Sequence, residues 1–190
     1  DVKLIIEKVK ESVYELKKGG FLPRTAMVSQ DKELSLRFPL TPTQHLCNMS
    51  KDTTADLKDF ITLVFNADGE INLQYIKEAS HKLMLRHQSL RMVIDSKTDE
   101  AVILPEVPLS IITGEASNLE SLVEWIYQLG GFKLNKGPLW RWCLISSAST
   151  KHSIKDNYKK DQWLIFQINH IISDGMSTSF FLDEFVEIYN

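Results

Sequence analysis

Residues 163–175 read Trp-Leu-Ile-Phe-Gln-Ile-Asn-His-Ile-Ile-Ser-Asp-Gly, an apolar strand that runs directly into a polar turn at the mouth of a helix. Such a junction restricts the chain to folds that pack strands and helices together. Side chains alternate between the faces of a strand, so His170 shares a side with Leu164, Phe166 and Ile168, while Asn169 lies with Gln167, Ile165 and Trp163. His170 thus leaves an apolar wall where the ladder stops. An imidazole placed there can keep one ring nitrogen free for a ligand while backbone holds the other, which is the geometry general acid–base chemistry requires.

The rest of the chain alternates helical and strand patterns. Val2, Ile5, Ile6, Val9, Val13 and Leu16 predict an amphipathic helix over residues 2–18, closed by Gly19-Gly20. Residues 21–38 carry mixed charge and Pro23 and read as a connector or a short edge strand. Thr41 is a plausible N-cap, with Pro42 at the first position of a short helix. Residues 60–66 predict a strand ending at Asp68-Gly69. Asn72 then caps a helix whose inner stripe is Leu73, Ile76, Ala79, Ser80, Leu83 and Met84.

Residues 90–94 and 101–104 flank a polar turn as in a hairpin. Ser117-Asn118-Leu119-Glu120 has the capping-box pattern, and Leu119, Leu122, Val123, Ile126 and Leu129 form the buried face of the next helix, ended by Gly130-Gly131. Residues 139–146 and 162–170 read as long strands joined by a polar loop, and the last helix starts near Ser177 with Phe180, Phe181, Phe185, Ile188 and Tyr189 inward. The expected fold is α/β, a two-layer sandwich with a mixed sheet. The division is residues 1–20 as a helix, 21–38 as a connector and 39–190 as one domain or lobe.

Of the 190 residues 43% are hydrophobic, enough for one sizeable core. The 25 acidic and 22 basic residues leave a net charge of −3, which provides no field to gather nucleic acid or anionic lipid. Neither nucleic acid nor membrane is expected as a partner. Apolar runs such as residues 60–65 are strand-length, and the start does not resemble a signal peptide, so the expected location is cytoplasmic. Cys47 and Cys143 form no disulfide framework or metal motif and read as buried or half-buried thiols, and His45, His81 and His152 lack metal spacing.

Asp174 lies four residues past His170, where its charge favours the start of the last helix and its carboxylate holds the turn. Gly175 beside it permits a backbone conformation that other residues resist. A buried carboxylate needs a partner, and Arg86 and Arg91 are the candidates. Arg86-His87 alternatively serve as cations at a helix C-terminus. Trp140, Trp142 and Trp163 read as a core or lobe-interface cluster. Ser173 and Ser177 stand near His170 without a triad.

Four segments, in order, resemble the condensation domains of nonribosomal peptide synthetases. Pro39-Leu40-Thr41-Pro42-Thr43-Gln44 is similar to the opening motif, and Arg86-His87-Gln88-Ser89-Leu90-Arg91 to the second. Residues 132–141 resemble the stretch ahead of the active-site strand, and Asn169-His170-Ile171-Ile172-Ser173-Asp174-Gly175 matches the HHxxxDG signature except at its first histidine. Gln88 departs from a glutamate of the family.

The resemblance implies a chloramphenicol acetyltransferase-like lobe, the N-terminal half of a two-lobed domain whose active site lies in a tunnel between the lobes. It implies an acyltransferase that joins a carrier-bound acyl or peptidyl thioester donor to an aminoacyl thioester acceptor, with His170 catalytic and Asp174, paired with Arg86, Gly175 and Asn169 supporting the loop. The implied partners are donor and acceptor carrier proteins and the C-terminal lobe. No cofactor or metal is bound directly; the 4′-phosphopantetheine arms of the carriers bring the substrates. Residues 1–20 would be a docking element or the remainder of an upstream module, and the chain, as a truncated domain, inactive alone. Asn169 keeps open a non-catalytic module that recruits a carrier or partner, and a coenzyme A-dependent acyltransferase of the same superfamily is the third reading.

Overall fold

The computed structural model describes residues 35–49, 60–67, 70–147 and 162–190. The helix expected over residues 2–18, most of the 21–38 connector, the Asp68-Gly69 turn and the polar loop after Ser147 lie outside the described residues. In chain order the elements are β1 (Leu36–Pro39), α1 (Pro42–Met49), β2 (Phe60–Ala67), α2 (Leu73–Arg86), a 3-10 turn (Gln88–Arg91), β3 (Met92–Asp95) and β4 (Glu100–Ile103). They continue as β5 (Ile111–Ala116), α3 (Leu119–Gln128), β6 (Trp140–Ser147), β7 (Gln162–Asn169) and α4 (Gly175–Tyr189).

The main sheet runs β2-β7-β6-β5, antiparallel except for the parallel β5–β6 pair. Register sets Phe166 of β7 between Leu63 of β2 and Trp142 of β6, and Ile168 between Ile61 and Trp140. Strand alternation sends these side chains to one face, where they meet Ile76 and Leu83 of α2 and Phe181 and Phe185 of α4 in a single buried cluster. Phe166 stacks on Phe181 at 4.7 Å between ring centroids, and Trp142 lies 4.4 Å from Phe185. Each of these buried rings contributes roughly 1.5–3 kcal/mol. The reverse face carries Cys143, Ile145 and Ile165 against Leu122 and Ile126 of α3.

The α/β class and the mixed sheet are as the patterns predict, but the layering is not two-layer: α2 and α4 cover one face of the main sheet and α3 covers the other, because both faces of β6 and β7 carry apolar side chains. A smaller antiparallel sheet, β1-β4-β3, is built on the hairpin, and its edge strand β1 takes up the end of the connector.

Several boundaries differ from the patterns for physical reasons. Trp163 occupies the odd-numbered face of β7 and packs on the second cluster, so it does not join Trp140 and Trp142. The capping box of α3 is Asn118 with Ser121 rather than Ser117 with Glu120, and Leu119 is exposed. Phe180 also points outward, because Phe181 and Phe185 already fill the helix face over the sheet. Leu90 lies in the 3-10 turn, not in a strand, and Trp140 Nε1 donates to its carbonyl at 2.9 Å. β5 opens on the β-branched run Ile111-Ile112-Thr113, too short by itself to mark a strand. Its Gly114 interrupts the pattern because the Trp125 indole rests against the backbone there, and a Cβ would come within 2.8 Å of Trp125 Nε1.

Candidate active site

β7 is paired on both sides to its end, with Asn169 opposite Phe60 and its N–H donating to Leu139 O at 2.9 Å. His170 is the next residue, in a turn, and it is exposed. Among the described residues its ring forms no hydrogen bond. The turn is held instead by its neighbours. Ile171 and Ile172 are buried at 2% and 7% exposure, pinning the backbone to the core while the ring of residue 170 stays outside. Asn169 is itself buried, and its Oδ1 accepts the Ile171 N–H at 2.8 Å while its carbonyl accepts the Ile172 N–H at 3.1 Å. An asparagine therefore supplies the turn-closing acceptor by the usual mechanism of side-chain amides in turns.

Asp174 is the N-cap of α4, which starts at Gly175, two residues before the expected Ser177. Its Oδ1 accepts the Ser177 N–H at 2.7 Å and the Ser177 hydroxyl at 2.6 Å, and its own N–H donates to Ser177 Oγ at 2.8 Å. The Ser177 hydroxyl, then the Ser177 N–H, hold the carboxyl of Asp174 below its ordinary value of 3.8. Thr178 Oγ1 closes the turn by donating to Asp174 O at 2.7 Å.

The expected pairing of Asp174 with Arg86 is not formed. Asp174 is exposed and turned toward its own helix N-terminus, whereas Arg86 ends α2 beside the middle of α4, with Nη1 3.7 Å from Glu184 Oε2. His87 Nε2 meets the same oxygen at 2.6 Å. Arg91 is also elsewhere, donating through Nε to Met84 O at 2.9 Å and through Nη1 to Leu104 O at 2.5 Å. Gly175 needs no special backbone, since the left-handed glycine of the described residues is Gly130, and the space beside Gly175 where a side chain would lie is open. The turn thus brings together Asn169, His170, Asp174 and Gly175, while Arg86 supports α4 from outside it.

Gln44 is the residue that the sequence left within a motif without a role of its own. Thr41 and Gln44 cap α1 reciprocally: Gln44 N donates to Thr41 Oγ1 at 3.3 Å, and Thr41 N donates to Gln44 Oε1 at 3.0 Å. The Thr-x-x-Gln spacing signals that cap. Gln44 Nε2 also donates to Ile171 O at 3.1 Å, across 127 positions of sequence, and no local pattern announces that contact.

An exposed imidazole on a braced turn can accept a proton from, and return it to, a group brought to it from outside. Among the described residues no group of three His, Cys, Asp or Glu side chains could hold a metal ion, and no helix is long and apolar enough to cross a membrane.

A family model described as "Condensation domain" matches residues 37–190. Surfactin synthase subunit 1 of Bacillus subtilis (strain 168) is 30% identical over 129 residues, covering 67% of this chain and 3% of that protein. Tyrocidine synthase 3 of Brevibacillus parabrevis is 30% identical over 127 residues, 65% of this chain and 2% of that protein. The starter condensation domain of rhizomide synthetase RzmA superposes with a TM-score of 0.64 at 16% identity, over 82% of this chain and 37% of that one. The X-domain, in a complex with OxyB from teicoplanin biosynthesis, superposes at 0.66 with 18% identity, over 90% of this chain and 35% of that one. The chain spans a small part of the length of these relatives, and the structural likeness concerns the fold.

Proposed function

Because this chain belongs to the condensation-domain family of nonribosomal peptide synthetases, we propose that residues 39–190 are the N-terminal lobe of such a domain and carry its proton-transferring histidine. The observation that supports this most is the exposed ring of His170 on a turn fixed by Asn169, Ile171 and Asp174. The complete domain joins an acyl or peptidyl thioester on a donor carrier protein to an aminoacyl thioester on an acceptor carrier, each borne on a 4′-phosphopantetheine arm. The C-terminal lobe closes the other side of the site. Residues 1–20 serve as a docking or upstream-linker element, the lobe alone is inactive, and the assembly works in the cytoplasm.

The reaction joins the acceptor's amine nitrogen to the donor's carbonyl carbon and breaks the carbon–sulfur bond, leaving an amide and a carrier thiol. An α-amino group titrates at about 7.7–8.0, so an appreciable share is neutral near pH 7 and needs no base before attack. Its proton becomes acidic once nitrogen has attacked. His170 takes that proton as the tetrahedral intermediate forms and delivers it to the departing sulfur. Tethering both substrates in line contributes through effective concentration.

The test is His170→Ala in a complete synthetase with loaded carriers. Turnover should fall by roughly 100- to 10,000-fold with an unchanged melting temperature, since the side chain is exposed, and undiminished turnover would reject the assignment. Asn169 favours a second reading, a non-catalytic module that recruits a carrier or partner protein, and the same assay decides it. Turnover with coenzyme A thioesters in place of loaded carriers would instead favour the acyltransferase of that superfamily.

A further inference from the structure

Helix α1 contains no buried residue, yet its position is closely held. Half-buried Cys47 packs against the main core, and polar contacts add to it: His45 Nδ1 lies 3.0 Å from Asp99 Oδ2, Asn48 Nδ2 donates to Asp99 Oδ1 at 2.5 Å, and half-buried Gln44 reaches Ile171. Asp99 is in the hairpin turn between β3 and β4, so the helix bridges the small sheet and the turn after β7.

At that turn the backbone of Ile171 is gripped from both sides by side-chain amides. Its N–H, which belongs to the peptide joining it to His170, donates to Asn169 Oδ1 at 2.8 Å. Its carbonyl accepts Gln44 Nε2 at 3.1 Å. Ladder bonding ends at Asn169, so these two bonds take over where the sheet stops fixing the backbone. The Gln44 amide is itself oriented, because its oxygen is engaged by the Thr41 N–H and only its nitrogen can face Ile171.

We propose that Gln44 is a positioning residue for His170: with Asn169 it forms a two-amide clamp on Ile171 that sets where the imidazole is presented. The proposal rests on the reading of His170 as the proton acceptor. It also gives Asn169 a purpose in an active site, as one jaw of the clamp rather than the scar of a lost histidine. Gln44 touches no substrate and acts through the backbone of residue 171.

The variant that separates clamp from cap is Gln44→Glu in the complete synthetase. A carboxylate keeps an acceptor for the Thr41 N–H and suits that position of a capping box, but it has no donor for Ile171 O and sets charge against that carbonyl. Thr41→Ala is the converse, damaging the cap while leaving the Gln44 amide in place. Gln44→Glu should lower kcat on the order of 10- to 100-fold, the scale of a misplacement near 1 Å, with KM for the acceptor carrier unchanged. Thr41→Ala should retain kcat within about twofold.

Hydrogen–deuterium exchange supplies a readout that does not depend on turnover. The peptide containing residues 169–173 should exchange faster in Gln44→Glu and not in Thr41→Ala. The clamp is overturned if Gln44→Glu keeps wild-type kcat in a synthetase that His170→Ala inactivates, if both variants lose kcat together, or if exchange at 169–173 is unmoved. Should His170→Ala leave turnover intact, the base assignment falls separately, and exchange alone decides the clamp.

Discussion

His87 Nε2 lies 2.6 Å from Glu184 Oε2, joining the residue that closes α2 to the middle of α4. Arg86 approaches the same oxygen at 3.7 Å, so one carboxylate receives both residues of the Arg-His motif. The loop bearing His170 opens α4, and this contact fixes the helix further along. Glu184→Ala should lower the free energy of unfolding by about 1–2 kcal/mol, as expected for a partly buried hydrogen bond to a charged group. Arg86→Ala should cost less, since that side chain is more exposed and its contact longer. The check is a denaturant midpoint that moves without a change of slope.

Asp174 stabilises the protein through its cap. At neutral pH Asp174→Ala should cost about 1 kcal/mol, and Asp174→Asn less, because asparagine keeps a capping oxygen. Since the Ser177 hydroxyl and N–H hold the folded carboxyl below its ordinary 3.8, the folded state binds the proton less readily than the unfolded state. The contribution is therefore present above about pH 3.8 and is lost as pH falls through the lower folded value. Melting curves of wild type and Asp174→Ala should converge in acid, and a gap that persists there would contradict the cap.

Ser80 and Trp142 are both fully buried, and Trp142 Nε1 donates to Ser80 Oγ at 3.0 Å. Ser80→Ala leaves the indole N–H without an acceptor inside the core, which should cost about 1–3 kcal/mol. Adding Trp142→Phe should cost less in the Ser80→Ala background than in wild type, because the stranded donor is then gone. A double-mutant cycle measures that coupling.

Cys143 lies at 0% exposure on β6, and burial pushes its thiol up to about 11, with Arg141 opposing the shift weakly. The thiolate is the reactive form. Alkylation at about pH 8 should therefore leave Cys143 unmodified in the folded protein and should follow the unfolding transition when denaturant is added, as read by mass spectrometry. Rapid labelling of native protein would contradict the packing of α3 on the sheet.

The local grammar of the chain was legible because it is written in contiguous residues. Asn72 and its inner stripe, the Thr41-Pro42 helix start, the strand from Gln162 to Asn169 and its abrupt end at an exposed histidine all follow from caps and periodicity. β5 was hidden because Gly114 and Glu115 break the period, and the reason for the glycine, the Trp125 ring, lies on another element.

The sequence by itself determined which residues end up on one turn, since Asn169, His170, Asp174 and Gly175 are near neighbours along the chain, and it determined the α/β class through patterns that recur every two or every three to four residues. Only the tertiary structure decided who holds whom. Asp174 turned to Ser177 three residues away rather than to Arg86, Arg86 and His87 went to Glu184, and Gln44 crossed 127 positions to grip Ile171. A cap is chosen by bonds already fixed in the chain, whereas a long-range partner is chosen by how the packed faces of sheet and helix bring distant backbones together, and that relation has no period to read.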